Sequence, residues 1–273
     1  MADPGGDQLS IPLGWVDLHV HILPGMDDGA ADVDQALEMA RLAQGDGIEC
    51  LVATPHVPGL AAHDARPAIQ RAARELEALI QKAGLLPLVL PGAEVAIDLE
   101  IVEQARAGRT VTLAGGRYLL LELPMAAYPL YTEEVIFQLQ LSGLSVILAH
   151  PERNPRVQEH PERLIPLVQR GVLLQLTAAS ILGEFGPAAR RTSEYFLRGN
   201  MAHVIASDAH GGRYRRPVLS AAVATASEIV GPTRAEEMVC GVPQAIIRDE
   251  TFEPERPAAT EAGRSFWRRL SWK

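Results

Sequence analysis

The stretch VDLHVHILPGMDDGAADVDQALEMARLAQGDGIECLVA, residues 16–53, contains one complete strand–helix–strand unit. Its two ends, Val16–Val20 and Cys50–Ala53, are short apolar runs, which predicts two buried strands. The segment between them has helical periodicity and begins after Asp32, a residue type that commonly caps helix N-termini. One face of that helix carries the apolar side chains Val33, Ala36, Leu37, Ala40 and Ala43.

The same alternation of strands and helices continues along the chain. Further apolar runs predict strands at Leu86–Leu90, Tyr118–Glu122, Ser145–Ala149, Val172–Leu176 and His203–Ala206. Helical windows lie near residues 65–83, 132–142, 161–170, 190–198 and 217–230. This alternation is typical of a parallel sheet with crossover helices, and continuous apolar strands indicate that both sheet faces are covered. We therefore predict an α/β fold with one barrel-like domain and a short C-terminal tail.

The composition narrows the class of protein. Of 273 residues, 34 are acidic and 25 are basic, which gives a formal net charge of −9. This balance argues against nucleic-acid binding, which usually requires a basic patch. Two cysteines, Cys50 and Cys240, are too few for a disulfide framework. The sequence shows neither a signal-peptide pattern nor an apolar run of the ~18 residues that a membrane span needs, so a cytoplasmic protein is expected.

Histidines and carboxylates are concentrated at the carboxyl ends of the predicted strands. These residues are His19, His21, His56, Glu94, Glu122, His150, Asp208 and His210. In a parallel α/β barrel all strand ends of this kind open on one face, where active sites lie. His19 and His21 are two residues apart and therefore project to the same side of their strand. Because imidazole and carboxylate ligands together suit Mn, Fe or Zn, the pattern predicts a metal site.

Taken singly, several of these residues have a purely structural explanation. Asp27 and Asp28 fit a turn followed by a helix start as well as a ligand site. Glu122 lies within an apolar run, where a buried carboxylate is normally paired, so a structural salt bridge would also account for it. Three histidines lack a strand-end position and are assigned no role: His63, His160 and His203.

Six motifs follow one another in a characteristic order along the chain. They are DLHVHILPGMDDG (17–29), ATPH (53–56), PGAEV (91–95), LELP (121–124), AHPERN (149–154) and ASDAH (206–210). With these motifs the chain resembles the polymerase-and-histidinol-phosphatase (PHP) superfamily, and more closely its bacterial capsular and exopolysaccharide tyrosine-protein phosphatase branch. The resemblance implies a distorted seven-stranded (β/α) TIM-like barrel over residues 15–248, followed by a tail of residues 249–273.

The resemblance also implies three divalent metal ions, with manganese expected first and Fe, Zn or Co as alternatives. The implied ligands are His19, His21, Asp28, His56, Glu94, Glu122, His150, Asp208 and His210. Asp17 opens the first motif and is expected to orient the cluster rather than to bind metal. Two arginines are implied to contact phosphate during catalysis. Arg153 matches the first, and Arg216 matches the second by its place before proline, with Arg213 and Arg215 as alternatives.

The implied activity is metal-dependent hydrolysis of phosphotyrosine in a protein, with the tail of a bacterial tyrosine kinase as the expected partner. The alternatives are a PHP phosphatase of small molecules such as histidinol phosphate and, after it, a metallo-amidohydrolase. The lysine-dependent form of the amidohydrolase site is excluded, because the chain has only Lys82, in a helical window, and Lys273. A cysteine-phosphatase loop is excluded because the sixth residue after Cys50 or Cys240 is not an arginine.

The last eleven residues differ in character from the rest of the chain. Gly263–Lys273 contains Phe266, Trp267 and Trp272 with four basic residues and no acidic one. Aromatic and basic residues together suit a membrane surface or a protein groove. Recruitment to the inner face of the membrane is therefore one expectation, and packing of these aromatic rings onto the barrel is the other.

Overall fold

The computed structural model describes residues 14–57 and 62–258, which form parallel strands covered by helices. The strands are β1 Trp15–Val20, β2 Ile48–Ala53, β3 His56–Val57, β4 Leu88–Pro91, β5 Glu94–Ala96, β6 Tyr118–Glu122, β7 Ser145–Ala149, β8 Leu173–Thr177 and β9 Ala202–Ala206. The helices are α1 Val33–Gly45, α2 Ala62–Lys82, α3 Glu100–Arg106, α4 Thr132–Leu141, α5 Pro155–Glu159, α6 Ile165–Gln169, α7 Ala178–Leu182, α8 Gly186–Arg198, α9 Ser220–Val230, α10 Pro232–Glu237 and α11 Gly241–Ile247. The α/β fold with parallel strands predicted from the sequence is confirmed.

The strands form two sheets, of order β1-β2-β4 and β3-β5-β6-β7-β8-β9. Within each sheet, all described pairs of neighbouring strands are parallel. Two of the predicted strands are thus followed by an unpredicted short strand, β3 after β2 and β5 after β4. Backbone hydrogen bonds from Gly92 N to Ala53 O (2.8 Å) and from Glu94 N to Pro55 O (3.2 Å) join the interrupted segments. At the other edge, Val20 forms an isolated parallel bridge with Ala209.

Side chains that alternate along the strands build two apolar layers. One layer includes Leu51 and Leu121 and packs against the helices. The other includes Leu18, Val52 and Leu120, which belong to three different strands and pack on one another. Burial of both strand faces explains why these segments read as continuous apolar runs in the sequence.

The segment after α10 is hydrogen-bonded to both β1 and β9. Val16 N donates to Val239 O (2.8 Å) and Ile205 N donates to Met238 O (3.0 Å), so this segment lies between β1 and β9. Tyr118 OH, at the start of β6, donates to Glu250 O (2.7 Å). The loops that carry the predicted ligands lie at the carboxyl ends of the strands.

No helix in the described ranges is long and apolar enough to cross a membrane. The last described residue, Ala258, donates from its backbone N to Gly199 O (2.9 Å), just before the amino end of β9. The basic and aromatic stretch Gly263–Lys273, and with it the predicted membrane contact, lies outside the described residues.

Candidate metal centre

Glu94, at the start of β5, is the central carboxylate of the predicted ligand set. Its Oε2 atom lies 3.2 Å from His19 Nε2 and 3.0 Å from His56 Nδ1. Its Oε1 atom lies 2.7 Å from His150 Nε2, and Glu122 Oε1 lies 3.9 Å from the same nitrogen. Parallel pairing of β3, β5 and β6 aligns these strands at their carboxyl ends. Residues far apart in sequence therefore converge on Glu94.

His19 on β1 and His21 directly after it are held with the same nitrogen directed into the cluster. His19 Nε2 and His21 Nε2 are 3.1 Å apart, and both imidazoles are buried. His19 Nδ1 donates to Gln175 Oε1 (2.9 Å), and His21 Nδ1 donates to Asp27 Oδ2 (2.6 Å). An acceptor at Nδ1 leaves the Nε2 lone pair of each ring free for a metal.

The turn after β1 completes one side of the site. Asp27 Oδ1 accepts a hydrogen bond from Gly29 N and its Oδ2 accepts one from His56 N, each at 3.0 Å. A Cβ atom at Gly29 would lie 2.0 Å from His21 O, so only glycine fits there. Asp28 is 65% exposed, and its Oδ1 lies 3.3 Å from His210 Nε2 and 3.5 Å from His56 Nε2. The turn and the ligand interpretations of this segment are compatible.

Three residues in the loops after β7 and β9 have left-handed backbone conformations. The φ angles are +32° for His150, +52° for Asp208 and +49° for Arg215. Such conformations cost a non-glycine residue about 1–3 kcal/mol and cluster at functional sites. His150 and Asp208 turn the chain soon after their strands, Arg215 lies further along the loop after β9, and the three side chains all reach the cluster.

Asp17 connects β1 to β9 beneath the cluster. Its buried carboxylate Oδ1 accepts hydrogen bonds from Ser207 N (3.0 Å) and His19 N (3.3 Å). Burial raises the pKa of Asp17 to about 6, against the lowering effect of these hydrogen bonds. The contacts are to backbone nitrogens on either side of the ligands, as expected for an orienting residue.

The donor set fits divalent metal ions. Four overlapping groups of ligand atoms lie within 4.8 Å of one another. They are His21 with Asp28, His56 and His210; His19 with His21 and Glu94; His19 with His150 and Asp208; and His56 with Glu94 and Glu122. Glu94 Oε2 and Asp208 Oδ1 are buried and face imidazole nitrogens at 3.0 to 3.6 Å, but neither atom accepts a hydrogen bond of good geometry among the described residues. Since buried carboxylate oxygens are rarely left unpaired, these two atoms are suited to bind cations.

The electrostatics of the cluster are dominated by paired imidazoles and carboxylates. Burial lowers the pKa of His21. The nearby carboxylates of Asp208, Asp27 and Glu94 stabilise the protonated imidazole more strongly and raise that pKa to about 11. Burial raises the pKa of Asp27, whereas His21 more than compensates and brings it to about 2. Burial is the main cause that lowers the pKa of His210 to about 4. In the metal-free protein, a proton on His21 therefore supplies part of the positive charge that a bound cation would supply.

Metal binding is expected to release protons and to strengthen as pH rises. A ligating imidazole must be neutral, whereas His21, with its raised pKa, is protonated at pH 7 in the metal-free protein. Isothermal titration of the metal-free protein in buffers of different ionisation enthalpy measures the protons released. The log of the metal association constant should increase between about pH 6 and 8. An affinity independent of pH over this range would contradict this assignment of His21.

Two arginines converge on one oxygen of Asp208. Arg153 Nη1 donates to Asp208 Oδ2, and Arg215 Nη2 lies 2.5 Å from the same atom. The Arg153 guanidinium also stacks on the ring of Phe185, 4.5 Å from its centroid. Arg216 and Arg213 are exposed, and no described side-chain contact joins either of them to the cluster. The structure thus brings Arg153 to the site, together with Arg215 and not with Arg216.

Gln175 was not singled out in the sequence, although a glutamine inside the apolar strand LLQLT was a usable signal. It is fully buried on β8, with its Oε1 on His19 Nδ1. Replacing Gln175 with leucine should lower metal affinity about 10- to 100-fold, because His19 loses the acceptor that orients its ring. Metal titration followed by calorimetry measures this change. The exposed residue Gln81 on α2 offers a control substitution, and equal affinities for both variants would refute the role.

The histidines without a predicted role lie apart from the cluster where they are described. His203 is buried on β9, and its Nδ1 accepts a hydrogen bond from Leu174 N (3.0 Å). His160 is exposed, 3.3 Å from Glu162 Oε1. The side chain of His63 lies outside the described residues.

A parallel α/β fold with a histidine–carboxylate cluster at its strand ends is typical of a metal-dependent class of protein. Residues 15–248 match the family described as capsular polysaccharide synthesis, CpsB/CapC. The chain belongs to this family. The resemblance to the capsular phosphatase branch that the motifs implied is confirmed.

Relatives of known name cover most of the chain. A protein of Bacillus subtilis (strain 168) named tyrosine-protein phosphatase YwqE is 37% identical over 200 residues, 73% of this chain and 79% of its own length. Tyrosine-protein phosphatase CpsB of Streptococcus pneumoniae is 22% identical over 240 residues, 86% of this chain and 99% of its own length.

Solved structures support the same relationship. A crystal structure from a study of YwqE of Bacillus subtilis and CpsB of Streptococcus pneumoniae, described as unique metal-dependent tyrosine phosphatases, superposes with a TM-score of 0.83. It is 33% identical and covers 89% of this chain and 98% of its own. An amidohydrolase from Mycoplasma synoviae superposes with a TM-score of 0.54 over 96% of this chain and 95% of its own. At 11% identity this second likeness concerns the fold alone.

Proposed function

We propose that this chain is a metal-dependent phosphatase that hydrolyses phosphotyrosine in proteins. The observation that carries the proposal is the Glu94-centred cluster, with the two guanidinium groups of Arg153 and Arg215 beside it. The 37% identical relative from Bacillus subtilis is named a tyrosine-protein phosphatase, which supports the same reaction here. A phosphate monoester is a dianion, and paired arginines suit its geometry better than lysines do.

Different side chains have different roles in this reaction. We assign the nine predicted ligands to three divalent ions, with manganese as the first expectation. When bound, such ions acidify a water molecule and neutralise charge on the phosphate oxygens. Gln175 and Asp27 orient the His19 and His21 rings, and Glu94 is shared among the ligand groups. Arg153 and Arg215, which both reach Asp208, stabilise the charge that develops on the transferring phosphoryl group.

The cysteines do not serve as nucleophiles in this scheme. Cys50 is buried in the apolar layer between the strands, and burial raises its pKa far above that of an exposed thiol. A protonated, inaccessible thiol cannot attack phosphorus. The Cys50→Ser variant should therefore retain the turnover number of the unmodified protein. Turnover and circular dichroism of the metal-loaded variant check this, and loss of turnover with fold and metal retained would contradict it.

The substrate class is tested by direct comparison. The metal-loaded protein is assayed on a phosphotyrosyl peptide, a phosphoseryl peptide of the same sequence and histidinol phosphate. We expect kcat/KM to be highest for the phosphotyrosyl peptide. A preference for histidinol phosphate would favour the small-molecule phosphatase, which shares the same ligand types. Hydrolysis of an amide in place of the phosphate esters would favour a metallo-amidohydrolase.

We further propose that the two sheets form one distorted seven-stranded barrel in a single domain of residues 15–248. In this arrangement β2 with β3, and β4 with β5, each act as one interrupted strand. The bridge between Val20 and Ala209 supports closure of β1 against the end of β9. We expect a cytoplasmic protein, with a bacterial tyrosine kinase tail as its phosphoprotein partner and with residues 249–273 as a tail that contacts the membrane surface.

A further inference from the structure

The loop after β9 carries three arginines and one tyrosine within four residues. Its sequence is GGRYRR, residues 211–216, and it follows the ligand His210 directly. Arg215 points inward to Asp208 Oδ2 at 2.5 Å. Its neighbours Arg213 and Arg216 are exposed, and Tyr214 is 86% exposed. We call this segment the basic rim.

The basic rim is fixed at both ends beside the metal ligands. His210 N donates to Arg215 O (2.9 Å), and Val218 N donates to Arg216 O (2.9 Å). The left-handed conformation of Arg215 turns its side chain toward the cluster. Because adjacent Cα atoms are 3.8 Å apart, Arg216 begins one residue and Arg213 two residues from the inward-pointing arginine.

The outward arginines have no ion-pair partner among the described residues. Neither Arg213 nor Arg216 forms an ion pair in the part of the chain that the structure describes, whereas Arg153 and Arg215 both do. The Glu38 carboxylate lies beside Gly212 but forms no ion pair with Arg213 or Arg216 among the described residues. Two uncompensated positive charges therefore flank the site in a protein whose net charge is −9.

We propose that the basic rim recognises acidic residues next to the phosphotyrosine of the substrate protein. This inference rests on the proposed function and assigns it a substrate class, an acidic phosphopeptide. An extended peptide advances about 3.3 Å per residue, so side chains one to three positions from the phosphotyrosine lie within reach of Arg213 and Arg216. Tyr214 presents an exposed ring between them for apolar contact with the same peptide. The role of Arg216 is thus to select the substrate, whereas Arg215 contacts the phosphate.

The test uses the metal-loaded protein and two phosphotyrosyl peptides that differ only in having glutamate or glutamine at the three positions on each side. The unmodified protein should have a kcat/KM about tenfold higher for the glutamate peptide at low salt, as two exposed ion pairs allow. In the Arg213→Gln/Arg216→Gln variant this ratio should fall to about two or less, because both ion-pairing partners are removed. High salt should reduce the ratio in the unmodified protein as well.

The control variant is Arg191→Gln/Arg198→Gln, which removes the same charge from exposed positions of α8, the helix that leads into the amino end of β9. It should keep the full preference for the glutamate peptide. Charge reversal by Arg213→Glu/Arg216→Glu should shift the preference to a lysine-flanked peptide, a gain that misfolding cannot produce. A ratio near one in the unmodified protein, or a ratio unchanged in the glutamine variant, would overturn the inference. Failure to hydrolyse either peptide would instead refute the proposed function.

Discussion

Replacing Glu94 with glutamine is expected to lower the turnover of a phosphotyrosyl peptide about a thousandfold and to lower the metal content of the protein. Glu94 faces His19, His56 and His150 at distances of 2.7 to 3.2 Å, and its Oε2 atom is buried without a hydrogen-bond partner among the described residues. Glutamine keeps the size of the side chain but removes the negative charge that the ligand groups share. The remaining cluster would hold its cations less tightly and in a changed geometry.

Metal content by inductively coupled plasma mass spectrometry and steady-state kinetics measure the two effects of Glu94→Gln. The exposed residue Glu75 on α2 provides a matched substitution, Glu75→Gln, that should leave both quantities unchanged. A Glu94→Gln protein with full metal content and full turnover would show that the Glu94 carboxylate is needed neither to hold the metal nor for the reaction. The circular dichroism spectrum establishes that each variant is folded.

Replacing Arg215 with glutamine is expected to lower kcat/KM about a hundredfold, and Arg153→Gln should have an effect of similar size. Both guanidinium groups reach Asp208 Oδ2 and are therefore placed beside the metal ligands. Arg216→Gln should lower kcat/KM by less than about tenfold, because the exposed Arg216 is limited to the contribution of a surface ion pair. Steady-state kinetics on a phosphotyrosyl peptide compare the three variants.

Inhibition by inorganic phosphate separates phosphate binding from other effects of these substitutions. The inhibition constant should increase in Arg153→Gln and Arg215→Gln and change little in Arg216→Gln. Metal content should be unchanged in all three, since none of these arginines is a ligand. If instead Arg216→Gln were inactive and Arg215→Gln active, Arg216 would be the second phosphate-contacting arginine, as its place before proline implied.

The convergence of the ligands was predictable because it follows from topology. His19, Glu94 and His150 each come at or just beyond a strand end, and parallel strands place such ends on one face. The pairing of His19 with His21 at the end of β1 was also predictable, since a period of two directs both side chains to one side. These inferences need only strand periodicity and connection order, which apolar patterns encode strongly.

Other features depend on geometry that local patterns do not encode. Whether Arg215 or Arg216 reaches the cluster depends on the left-handed φ of +49° at Arg215. This conformation is unfavourable for an arginine, so tertiary contacts must impose it. The short strands β3 and β5 contain two and three residues, too few for a period to be visible. Gln175 acts through a contact with His19, 156 positions away in the chain. The sequence marks Gln175 as unusual in an apolar strand, but its partner and the other two features are visible only in the folded chain.

Removal and restoration of metal tests the central claim most directly. The protein is treated with a chelator, assayed on a phosphotyrosyl peptide, and titrated with Mn, Fe, Zn, Co or Mg while bound metal and activity are measured together. We predict no turnover in the metal-free protein and a return of activity that saturates as the stoichiometry approaches three ions per chain, with manganese the most effective. Phosphotyrosine hydrolysis by the metal-free protein at the rate of the loaded protein would contradict the claim.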